Sequence, residues 1–112
     1  MTLDNVTVAI GTDVFSGPVI VEIGEYEQGA TAITLYAAED GEQLMAGEFL
    51  DVITVNLANV GHLTQPGHVF VPQRYTQHAN ELERHGLLSP AKRSVTYGSF
   101  GQLAVERELL AR

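Results

Sequence analysis

The chain has no cysteine and no tryptophan, and from Met1 to Gln73 it has neither lysine nor arginine. Without cysteine there are no disulfides, no thiol catalysis and no zinc–thiolate centre. The missing cations are the more telling absence, because an average chain, about a quarter charged, would place roughly nine in that span. Ten carboxylates stand there instead: Asp4, Asp13, Glu22, Glu25, Glu27, Glu39, Asp40, Glu42, Glu48 and Asp51. The six cations all follow, at Arg74, Arg84, Lys92, Arg93, Arg107 and Arg112, beside only Glu81, Glu83, Glu106 and Glu108. The first part is therefore ten charges negative and the remainder two positive, which gives the net charge of -8. Like-charge repulsion disfavours direct contact with nucleic acid or anionic membranes. Long apolar runs are also missing. Val19-Ile20-Val21 ends far short of a bilayer span, and no basic region precedes an apolar segment as in a signal peptide. A cytoplasmic location is expected.

The 112 residues suit one domain, 1–112, long enough to bury a core without metal support. The first half reads as strands. Residues 3–10 place Val6, Val8 and Ile10 on one face, and Gly11-Thr-Asp13 and Ser16-Gly-Pro18 bracket an expected turn around Val14 and Phe15. Pro18 then opens a strand in which Val19, Val21 and Ile23 alternate with Ile20, Glu22 and Gly24. Residues 31–38 put Ile33, Leu35 and Ala37 on one side and Thr34 and Tyr36 on the other. Asp40-Gly41 signals a tight hairpin into a long strand over residues 43–56, bent at Gly47. After a loop around Asn59, Gly61, Pro66 and Gly67, residues 68–71 form a short strand stopped by Pro72. Residues 76–85 are the helix candidate, with Thr76 as cap, Ala79 and Leu82 inward and Gly86 just past the end. Residues 93–97 and 103–107 read as a hairpin around Gly98-Ser-Phe-Gly101, and residues 108–112 as a short helix. The expected fold is α+β, a curved antiparallel β-sheet of about five to seven strands with one short α-helix packed on it.

No motif identifies a reaction. His78, Glu81 and His85 share one helical stripe and are conceivable ligands for a divalent ion, with His62 and His68 as additions. Ligands at i and i+7, however, stand about 10 Å apart along the axis, and a solvated helix edge is the stronger expectation. Glu25/Glu27 and Glu39/Glu42 do not face each other across a cleft as glycosidase carboxylates must. Gly98-Ser99-Phe100-Gly101 is not a nucleophile elbow, no phosphate-binding loop is present, and the few aromatics lack a basic groove for stacking nucleic acid. Neither enzyme activity nor a cofactor is expected.

From Gly24-Glu-Tyr26 and Gly29 through Ala32-Ile-Thr-Leu-Tyr-Ala-Ala-Glu-Asp-Gly-Glu42, Thr54-Val-Asn-Leu57, Val69, Val71, Tyr75, Leu82, Gly86, Arg93-Ser-Val95 and Gly98, the chain resembles a family. Its members are short uncharacterised proteins carried on bacterial conjugative elements and phages. The likeness spans roughly the last three quarters, departing by inserted residues between Gln43 and Val55 and at Thr76-Gln-His-Ala-Asn80. It implies a mobile-element accessory protein that blunts host defence, such as an anti-CRISPR, rather than a metabolic enzyme. Joined to the charge pattern, this predicts a binding protein acting as a nucleic-acid mimic. Glu22, Glu25, Glu27, Glu39, Asp40, Glu42, Glu48 and Asp51 would meet a host protein or ribonucleoprotein with a basic surface. Tyr26, Tyr36 and Phe49 are candidates for an apolar centre. The alternatives are a structural module that self-associates into a homodimer through an exposed sheet edge, or a small metal-dependent enzyme using the histidine stripe.

Overall fold

The computed structural model describes residues 1–10, 13–26, 30–40, 45–57 and 67–110. Among them are seven strands and one helix: β1 (Thr2–Ile10), β2 (Asp13–Glu25), β3 (Thr31–Ala37), β4 (Phe49–Val52), β5 (His68–Pro72), α1 (Thr76–Arg84), β6 (Arg93–Tyr97) and β7 (Gln102–Glu108). The fold is α+β and every strand pairing is antiparallel. The strands form two sheets rather than one curved one, β1-β2-β3-β4 and β5-β7-β6. The chain crosses between them just after β4, where Ile53 N–H still bonds Ile33 of the first sheet and Val55 already bridges Phe70 of the second.

Alternation places the core as expected. Val6 and Val8, Val19 and Val21, then Ile33, Leu35 and Ala37 turn to one side of the first sheet and are at most 2% exposed. Val69 and Val71 from β5, Ala79 and Leu82 from α1, and Leu87, Leu88 and Leu109 close over them in one apolar cluster. The opposite face of the second sheet carries a smaller cluster of Leu57, Phe70, Val95 and Ala104.

Two bulges rework the expected turns. β2 runs straight through Val14 and Phe15, where the turn was expected, and on through Ser16-Gly-Pro18, where a bulge lies instead: between the Leu3/Val19 and Val6/Gly17 pairs, Asp4 and Asn5 oppose Pro18. A proline, with no N–H to give the ladder, is tolerated at such a site. The second bulge lies between the Leu35/Asp51 and Tyr36/Phe49 pairs. The expected Asp40-Gly41 hairpin lies partly outside the described residues, which omit 41–44, within the connection over residues 38–48. That connection closes with a turn in which Glu48 N–H bonds Met45 O and Gly47 takes φ 86°, the left-handed value that a type II turn asks of its third residue. β4 is consequently four residues long, not a strand over 43–56.

Helix α1 joins the two sheets. A 3-10 turn over Gln73–Tyr75 leads into it, so Tyr75 rather than Thr76 is the N-cap, and the Thr76 hydroxyl donates back to Gln73 O. At the other end Gly86 adopts φ 78°. There Gly86 N–H bonds Glu83 O and Leu87 N–H bonds Leu82 O, the Schellman closure expected of that glycine. One helix flank covers the open edge of β1: Thr7 N–H donates to Glu81 Oε1 at 2.7 Å, Ala9 N–H to Gln77 Oε1 at 3.2 Å, and Arg84 donates to Asn5 O. The other flank meets Arg107 of β7, whose guanidinium donates to Glu83 Oε1 at 2.8 Å and Asn80 Oδ1 at 2.9 Å. β7 runs through Glu108 and Leu109 bridges Leu88, so the described part of residues 108–112 is not helical; residues 111–112 lie outside the described residues.

Candidate functional site

Residues paired across strands share a sheet face. The register Thr2/Ile20/Tyr36/Phe49 and Glu22/Thr34/Val52 therefore defines the outer face of the first sheet, opposite the core. Its centre is mostly apolar. Ile20, Tyr36 and Val52 are half-buried, Phe49 is 56% exposed, and the rings of Tyr36 and Phe49 meet edge to face at 6.2 Å. Tyr26 is not part of it, because its hydroxyl is tied to Thr54 O at 3.1 Å.

The predicted carboxylates fall around this centre rather than across it. Glu22 alone stands within the paired rows, exposed. Glu25 is exposed at one end of the sheet, opposite Thr31 and so on the core side of the ladder by register, while Glu39, Asp40 and Glu48 are exposed at the other end, where β3 passes towards β4. From Glu25 to Glu39 the sheet measures about 25 Å by strand rise. Glu27 and Glu42 lie outside the described residues, and with them the pairs Glu25/Glu27 and Glu39/Glu42. Asp51 does not belong to this surface. The second bulge turns both Leu50 and Asp51 inward, and the Asp51 carboxylate accepts the Tyr75 hydroxyl at 2.6 Å. Bulges commonly re-aim a side chain in this way.

Four of the five described cations of the second part are engaged by its own acids. Arg84 pairs with Glu81, Lys92 with Glu108, Arg93 with Glu106 and Arg107 with Glu83. None of these described ion pairs reaches an acid of the first part. Sequence reading missed the most ordered of them. Glu106, buried in the middle strand of the second sheet, accepts Arg93 Nε at 2.6 Å from one neighbouring strand and lies 3.1 Å from His68 Nδ1 on the other. Burial pushes the Glu106 carboxyl up, but the hydrogen bonds from Arg93 and His68 hold it below the usual carboxylate range. The signal was an acid within a strand-forming segment, and it needed the β5-β7-β6 order to be read.

The histidine stripe diverges. His78 is not a solvated edge residue; it is 4% exposed, packed edge to face against Tyr75 at 5.3 Å, with Nδ1 sealed and unpartnered. Glu81 turns to the β1 edge and Arg84, and His68 belongs to Glu106. No three histidine or carboxylate side chains among the described residues gather as metal ligands do. His62 lies outside them.

Burial lowers the His78 pKa, against the opposing pull of the Asp51 charge and a hydrogen bond to the Ala9 backbone. The unfolded chain therefore takes up the proton first, at about pH 6.5. Stability is held above that value and falls as the pH drops from it towards the lower folded pKa. His78→Leu is expected to flatten the fall in unfolding free energy between about pH 7 and pH 5, read by urea titration at each pH. An unchanged slope in the variant would assign the titration elsewhere.

The site thus combines an apolar β-sheet face with exposed carboxylates that enter none of the described ion pairs, on an α+β fold. No described helix is long and apolar enough to cross a membrane. The chain matches no protein-family model, no curated protein and no solved structure.

Proposed function

We propose that this protein is a non-enzymatic, acidic binding protein of a phage or plasmid. It inhibits a host defence complex, in the manner of an anti-CRISPR, by occupying a basic nucleic-acid-binding surface. One observation carries the reading: the carboxylates Glu22, Glu25, Glu39 and Glu48 are exposed and enter none of the described ion pairs, whereas Arg84, Lys92, Arg93 and Arg107 are held by other acids. Such charges accelerate encounter with a cationic partner, and Phe49 with Tyr36 supplies the apolar centre that a stable interface needs.

Assembly through a sheet edge is the weaker reading. The β1 edge is covered by Gln77, Glu81 and Arg84, and β4 offers only four residues beside a bulge. Short, bulged edges resist pairing with another chain.

Affinity capture from host lysate tests the proposal. At about 0.1 M salt, where screening extends about 10 Å, a basic nucleic-acid-binding protein should be retained; at about 1 M, where it extends about 3 Å, it should be released. Retention that ignores salt, or capture of no nucleic-acid-binding protein, contradicts the reading.

A further inference from the structure

A second site stands apart from the acidic face. β5 stops at Pro72, opposite Ala104, but the β6–β7 ladder continues for two more pairs, Thr96/Leu103 and Tyr97/Gln102. Beyond Pro72 the chain swings into the 3-10 turn, and an open notch of about 270 Å³ remains between the turn and the hairpin end. Its walls are Pro72, Gln73, Arg74, Tyr97, Gln102 and Leu103.

Arg74 is the unusual member. Every other described arginine or lysine is within ion-pair distance of a carboxylate. Arg74 instead rests 5.0 Å from the centre of the Tyr75 ring, while the nearby Asp51 carboxylate is already taken by the Tyr75 hydroxyl. A planar guanidinium with open donor positions is suited to a carboxylate, which it holds with two parallel hydrogen bonds. Gln73 and Gln102 add amide donors, and Pro72, Leu103 and the Tyr97 ring offer apolar contact. The volume lies just under the roughly 300–1,000 Å³ typical of drug-sized sites. A single cation in a chain of net charge -8 favours a singly charged ligand over a phosphate dianion.

We propose that this notch binds a small monocarboxylate with a flat apolar body, its carboxylate on Arg74 and its body against Leu103 and Tyr97. The site is independent of the acidic face and stands or falls separately from it.

The test is an NMR titration of the labelled protein with phenylacetate, using benzylamine and inorganic phosphate as controls. Saturable shifts are expected at the Arg74 Nε–H and the Gln73 and Gln102 side-chain amides, with no such response to either control. Arg74→Gln should weaken phenylacetate binding at least about tenfold, as expected for loss of a charge-assisted hydrogen bond. Leu103→Glu should weaken it too, and both variants should keep the wild-type backbone spectrum. Shifts that do not saturate, that phosphate reproduces equally, or that persist unchanged in Arg74→Gln would overturn the proposal.

Discussion

Lysine at positions 22, 39 and 48 in place of glutamate should abolish partner binding and leave the fold as it is. Each reversal moves the charge by two, so the triple variant goes from -8 to -2 and turns three attractive contacts repulsive. Exposed pairs contribute about 0.2–1 kcal/mol each, and more where an interface strips their water. Losing three and adding repulsion should cost at least about 3 kcal/mol, or more than about a hundredfold in affinity. The fold has little reason to respond. All three side chains are exposed and enter none of the described ion pairs, so each substitution should move stability by no more than about 0.5 kcal/mol. Calorimetric titration against the captured partner, alongside thermal melting, separates the two effects. Lost affinity with an unchanged melting point is the expected pair; undiminished affinity would remove the face from the interface.

Arg107→Ala should produce the largest loss of stability from any single charged residue. The side chain is 4% exposed, donates to Glu83, Asn80 and the Ser89 carbonyl, and ties α1 to β7. Breaking a buried ion pair costs about 3–5 kcal/mol. The lower end applies here because the Glu83 side chain is 39% exposed and can rehydrate. Against a total stability of about 5–15 kcal/mol, the urea midpoint should fall sharply. Arg107→Met should cost less than Arg107→Ala, because it keeps the packing of the stem while removing the charge, and Nε is unpartnered in the wild type. If both variants melt with the wild type, Arg107 does not hold the helix.

Much of this architecture was legible because side-chain alternation survives folding. Val6 and Val8, Ile33 to Ala37, the Ala79/Leu82 face and the Gly98–Gly101 hairpin all fall where periodicity places them. The failures share one cause, which is that local signals cannot report what a neighbouring strand does. Val14 and Phe15 read as a turn until pairing with Ala9 and Val8 draws them into β2. Asp51 reads as surface until the bulge beside it turns it to Tyr75. His78 sits on a polar helical stripe, yet α1 must bury part of that stripe in order to reach both sheets. The charge separation was readable as composition. That most cations of the second part are held by its own acids depended on the strand order β5-β7-β6 and could not be read in advance.

The central claim is that the first sheet presents negative charge to a surface otherwise reserved for nucleic acid. Competition measures this directly: the captured partner is loaded with fluorescently labelled nucleic acid, and the protein is titrated in at about 0.1 M salt. The account predicts stoichiometric release of the nucleic acid by the wild type and none by the triple lysine variant. Nucleic acid that stays bound while the protein also binds would contradict it.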